Sequence, residues 1–142
     1  MKKNNDMICE VELEKSFSLA EEINVYNDGK KDTYVSGSEE YITILNGWDD
    51  LLKTAYNMPA FGVSLNDLTL DAMKSGLWVE FDYGKTYKSY EMYYDKLLIN
   101  VMKDSMGVNL IRHNERGYDG RCFYFNLNSG NTSEFYDLLI NL

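Results

Sequence analysis

Glu80 and Asp82 stand two residues apart on the alternating stretch 77–83, beside Trp78. Two positioned carboxylates are the minimum equipment for glycoside hydrolysis or metal-assisted phosphodiester cleavage. Alternation puts Leu77, Val79, Phe81 and Tyr83 on one face of a strand and the acid pair on the other, outward face, so plain solvation accounts for the pair equally well. The three arginines, Arg112, Arg116 and Arg121, gather around one hairpin with the single histidine, His113. A planar guanidinium grips phosphate or carboxylate bidentately, which makes this group a candidate small-anion site. Local ion pairs with Glu115 and Asp119 are the plainer reading. One histidine rules out a two-histidine metal site, and no HExxH, phosphate loop, dinucleotide fingerprint or nucleophile elbow occurs. Cys122 faces His113 across the hairpin, but its neighbours Phe123, Tyr124 and Phe125 raise a thiol's pKa and make it inert. No cofactor or metal is expected.

Charge carries more information than any motif. The 142 residues hold 14 basic and 23 acidic side chains, net −9, with a pI near 4.5. Direct nucleic-acid binding through bulk charge is therefore not expected. Residues 1–71 have net charge −8 and residues 72–142 only −1. Within the first half, Met7, Cys9, Val11 and Leu13 alternate with Ile8, Glu10, Glu12 and Glu14, the pattern of a half-buried strand. Its acids would stand about 6.8 Å apart, two residue rises. Glu21, Glu22, Asp28, Asp32, Glu39, Glu40, Asp49 and Asp50 follow. A folded row of carboxylates repels itself, and a basic partner surface relieves that repulsion.

The aromatic load points the same way. Twelve tyrosines stand among aromatics making up 14% of the chain, and Tyr83, Tyr87, Tyr90, Tyr93 and Tyr94 crowd one segment. Tyrosine has an apolar body and a polar tip, which suits a half-wet contact surface. Packing against a helix is the alternative role. The expected partner-binding set is thus Glu10, Glu12, Glu14, Glu21, Glu22, Glu39, Glu40, Asp49, Asp50, Tyr87 and Tyr90.

The remaining patterns position these groups. Ile23–Tyr26, Asn27-Asp28-Gly29 and Asp32–Val35 read as a hairpin, because Asp-Gly supplies the positive φ of a tight turn. Ser38 before Glu39 and Glu40 reads as a capped helix start, followed by an apolar stripe through Tyr41, Ile44, Trp48 and Leu51 that must stop before Pro59. Ser64 to Asp67 resembles a capping box, with Val63 and Leu68 as its staple, for a helix ending near Gly76. Strands follow at 77–83 and 87–94 around a Gly84-Lys85 turn, then a helix over 95–103. A hairpin over 108–127 and a last helix from Ser133 complete the chain. Hairpin-joined strands with interspersed helices predict an α+β fold, a mostly antiparallel sheet with three or four packed helices in one domain over 1–142. The N-terminus shows no apolar signal-peptide core, and no run reaches the length of a membrane span. With only Cys9 and Cys122, both expected buried and reduced, a cytoplasmic location is expected.

These readings converge on a non-enzymatic acidic module. It would bind a basic protein surface, as an inhibitor of a nuclease or CRISPR effector that imitates nucleic acid, or as an immunity protein against a toxin. A small metal-dependent hydrolase or phosphodiesterase built on Glu80 and Asp82 is the alternative from enzymology. A homodimer joined through the tyrosine hairpin is the structural alternative.

Overall fold

The structure, a computed structural model, describes residues 8–58 and 62–142. Its backbone is an eight-stranded sheet. β1 (Cys9–Glu10) is followed by the single turn α1 (Leu13–Ser16) and a short 3-10 turn, then β2 (Glu22–Asn27), β3 (Lys30–Val35) and α2 (Glu39–Leu51). Next come β4 (Tyr56–Met58), β5 (Val63–Ser64), α3 (Asn66–Ala72), β6 (Leu77–Ser89) and β7 (Met92–Asn100). The chain ends with β8 (Gly107–His113), β9 (Gly120–Arg121), β10 (Phe123–Asn126) and α4 (Ser133–Ile140). Spatial order is β3-β2-β6-β7-β8-β10-β4, antiparallel throughout, with β1 added in parallel to β6 and a separate β5–β9 ribbon. This is the expected α+β class.

Local chemistry explains the elements that match. Asp28 (φ 49°) and Gly29 (φ 87°) make the tight β2–β3 turn, where glycine carries no steric penalty. Ser38 Oγ accepts from the Tyr41 backbone N–H at 3.2 Å and caps α2. Ser38→Ala is expected to lose about 1 kcal/mol in urea denaturation, the usual worth of such a cap. Tyr41, Ile44 and Trp48 on α2, Phe135 and Leu139 on α4, and Leu13 and Phe17 pack on one sheet face against Val79, Phe81, Leu97, Ile99 and Phe125. Trp48 touches both Phe17 and Phe135 ring to ring, at 5.2 and 5.6 Å. A smaller cluster of Met73, Trp78, Leu98 and Tyr118 fills the opposite face under α3. The sheet is therefore covered on both sides.

Several expectations are corrected. The alternating N-terminal segment keeps only two strand residues before turning helical at Leu13, so Glu10, Glu12 and Glu14 do not line one strand face. Met7, the first residue of that expected strand, and Pro59, the expected helix stop, lie outside the described residues. Ser64 caps no helix; its hydroxyl donates to the carbonyls of Tyr118 and Gly120 at 2.6 and 3.2 Å. Val63 and Leu68, the expected staple, are both exposed. The segment 95–103 is mostly the second half of β7, not a helix. The β6–β7 turn falls at Tyr90 and Glu91, while Gly84 and Lys85 lie in an irregular stretch between Asp82 and Tyr87. Cys122 is buried as expected, but Cys9 is exposed, and the two are not bridged.

Candidate functional site

The expected hydrolytic pair comes apart. Glu80 is fully buried, because α3 and the 114–119 segment roof the sheet face it occupies. Its Oε1 accepts from Asn24 Nδ2 and from the Tyr26 hydroxyl, each at 3.3 Å, and its Oε2 accepts from the Tyr118 hydroxyl. Thr33 donates in turn to Asn24 Oδ1 at 2.7 Å. The His113 ring stands edge-on to Tyr118, centroids 4.8 Å apart, and its Nδ1 meets Asp95 Oδ1 at 2.6 Å. A polar spine thus crosses five strands from Thr33 to Asp95. Burial first, then the charge and hydrogen bond of Glu80, hold the Tyr26 and Tyr118 phenols well above their ordinary range. Asp82 accepts from the Gly84 N–H at 3.1 Å and steadies the β6 irregularity. Glu80 has no path to a substrate, and no cluster of three metal-ligating side chains occurs among the described residues.

The arginine group also disperses. Arg112 is buried, its Nε on the Arg121 carbonyl at 2.6 Å and its Nη1 on the Tyr93 carbonyl at 2.7 Å. Burial lowers its pKa, with the Cys122 thiol opposing and Arg121 adding to the shift. Arg116 meets Asp119 at 3.5 Å on the surface. Among the four residues expected to hold an anion, His113 faces Asp95, and Arg112 and Arg121 both stay without an ion pair among the described residues, Arg112 being met by carbonyls and Arg121 being exposed.

The acids follow a different pattern from the expected row. Glu10 lies in register with Lys88, Glu12 pairs with Lys15 at 3.0 Å, and Glu14 accepts from the Tyr90 hydroxyl at 3.4 Å. Glu21 lies against Gly84, and Glu22 is half-buried on β2. Tyr87 does not reach the surface: it packs edge-on to Tyr83 at 5.5 Å, on the inner side of β6. Tyr90 is exposed.

The helical layer is where uncompensated acid collects. Glu39, Glu40, Asp49 and Asp50 are exposed on α2, and α4 adds exposed Glu134 and Asp137 beside it. Neither helix contains a lysine or arginine. A groove of about 570 Å³ runs between them, with Asp50 and Glu134 among its walls. Among the described residues, the one lysine paired with an acid of this layer is Lys53, 3.5 Å from Asp50, with both side chains largely in water. Such a pair is worth little. Asp49 and Asp50 occupy the last turn of α2, the negative end of its dipole, where carboxylates are unfavourable. Burial, and then Asp50, raise the Asp49 carboxyl's pKa. The contribution of α4 was not legible from sequence, because two acids spaced along a terminal helix give no signal until that helix is set beside α2.

No helix among the described residues is long and apolar enough to cross a membrane. No family model, curated protein or solved structure matches the chain.

Proposed function

We propose that the protein is a non-enzymatic binding module whose α2–α4 layer docks on a basic protein surface. The partner class is a nucleic-acid-handling protein such as a nuclease or CRISPR effector, or a toxin, whose phosphate-binding groove would accept carboxylates in place of phosphates. The observation that carries this reading is the six acids on two adjacent helices without a basic residue on either. Two of them sit where the helix dipole disfavours them. Long-range attraction from such a surface speeds encounter and weakens with salt.

The double variant Asp49→Asn/Asp50→Asn tests it. Removing two like charges from the negative end of α2 is expected to stabilise the fold by about 0.5–1 kcal/mol. The same change is expected to slow association with the partner about tenfold at low salt. The partner is to be isolated by pull-down at low salt and its rate measured by surface plasmon resonance across a salt series. Failure to retain any basic protein, or a rate indifferent to both salt and the substitution, overturns the proposal.

A further inference from the structure

A second cavity, which shares no lining residue with the α2–α4 groove, has a different chemistry. It has a volume of about 470 Å³ and is lined by Asn57, Met58, Tyr90, Glu91, Met92, Arg121 and Phe123. That volume lies within the range of small-molecule sites. Met58, Met92 and Phe123 give it apolar walls, and methionine adapts to irregular shapes. Two polar groups of its lining residues are unanswered. Asn57 Oδ1 is buried with no hydrogen-bond partner among the described residues, a condition that disfavours the unliganded state. The Arg121 guanidinium has no ion pair among the described residues. Behind it, the Arg112 charge is met by carbonyls rather than a carboxylate, so the two positive charges reinforce each other. The one carboxylate in the wall, Glu91, is drawn to Lys88 at 3.7 Å.

The mouth is built with strain. Tyr90 (φ 51°) and Glu91 (φ 65°) both adopt left-handed backbone in a turn where Asn-Gly would sit without penalty. The result holds the Tyr90 ring 6.3 Å from Phe123, with its hydroxyl tied to Glu14.

We propose that this cavity binds a small amphipathic acid: a flat apolar body between the methionines and aromatics, an anionic group at Arg121, and an N–H or O–H donor to Asn57 Oδ1, whose amide turns out of its buried position to accept it. No residue of α2 or α4 lines it, so the site stands or falls separately from the acidic face.

Indole-3-acetate carries all three features, and naphthalene-1-acetate lacks only the donor. By isothermal titration, indole-3-acetate is expected to bind with a Kd below about 1 mM, and naphthalene-1-acetate about fivefold more weakly. Arg121→Gln is expected to weaken both at least about tenfold. Asn57→Leu is expected to erase the difference between the two probes, while an unchanged far-ultraviolet circular dichroism spectrum shows that the variant folds. Amide shift changes in the wild type should map to β4, β10 and the Tyr90–Glu91 turn. Absence of saturable binding up to about 10 mM, equal binding to the Arg121→Gln variant, or shifts mapping elsewhere would overturn the assignment.

Discussion

Glu80→Ala is expected to lower stability by about 3–5 kcal/mol in urea denaturation at neutral pH. The truncation strands three donors at once: Asn24 Nδ2, the Tyr26 hydroxyl and the Tyr118 hydroxyl. It also opens a void in a layer where Glu80 has no exposure and Trp78, Leu98 and Tyr118 are closely packed. Hydrogen bonds to a charged group contribute about 1.5–3 kcal/mol each, and a stranded buried donor forfeits most of that. Glu80→Gln separates shape from charge. One amide oxygen still accepts from Tyr118, but the amide N–H₂ then faces the Asn24 amide, whose Oδ1 is already engaged by Thr33. An intermediate loss of about 1–2 kcal/mol is expected. Hydrogen exchange should report the same event locally, through faster amides over 114–119, since Tyr118 anchors that segment to the sheet. A loss below about 1 kcal/mol for Glu80→Ala would mean that the three donors find water instead, and that the spine does not hold the second layer in place.

Why Glu80 escaped sequence reading is instructive about the rest of the chain. Alternation with Val79 and Phe81 predicts that it lies on the opposite face of β6 from them, and it does. What alternation cannot show is a second roof. α3 and the 114–119 segment are held there by long-range contacts such as Asn66 Oδ1 with the Tyr118 N–H at 3.0 Å. β7 failed for a related reason. Tyr94 and Leu97 both point into the main core although they are three residues apart, because Asp95 and Lys96 are both diverted outward opposite the β6 irregularity. The run 97–99 is then buried on both sides and has no period of two, so Leu97, Leu98, Val101 and Met102 imitated a helical stripe. Turns were legible where a residue type was required, as at Asp28-Gly29, and illegible where strain replaces it, as at Tyr90-Glu91. Of the interaction face, Glu39, Glu40, Asp49 and Asp50 were legible as acids on one capped helix. The compensation of Glu12 by Lys15 was not, since it depends on α1 interrupting the strand.

The tyrosines expected at a contact surface mostly sit inside, and their position makes the fold sensitive to alkali. Tyr83 and Tyr94 are buried in the main core, with hydroxyls on Ser16 at 3.3 Å and Ser89 at 2.8 Å. Tyr118 is buried in the second cluster on Glu80. Burial is the leading cause that raises all three phenols above their ordinary value, and at Tyr118 the Glu80 charge adds to it. In the unfolded chain the same groups release protons near about pH 10. The folded state therefore binds more protons than the unfolded state once the pH passes that value. Stability is intact below about pH 10 and falls as the pH rises from there toward the raised folded values. Each phenol kept neutral contributes a slope of about 1.4 kcal/mol per pH unit, so these three alone contribute about 4, and Tyr26, Tyr34 and Tyr41, also raised, add to it. A domain of ordinary stability, about 5–15 kcal/mol, is then expected to unfold within about one to four pH units above 10. Denaturation curves from pH 8 to 12 measure the slope. Absorbance at 295 nm should show the buried phenolates emerging together with the loss of circular dichroism, rather than ahead of it. Tyr118→Phe is expected to be less stable at pH 7, because Glu80 loses a donor, and to show a slope shallower by about 1.4 kcal/mol per pH unit. A stability that stays flat between pH 8 and 11 would mean that these hydroxyls ionise in the native state, which burial in two packed layers forbids.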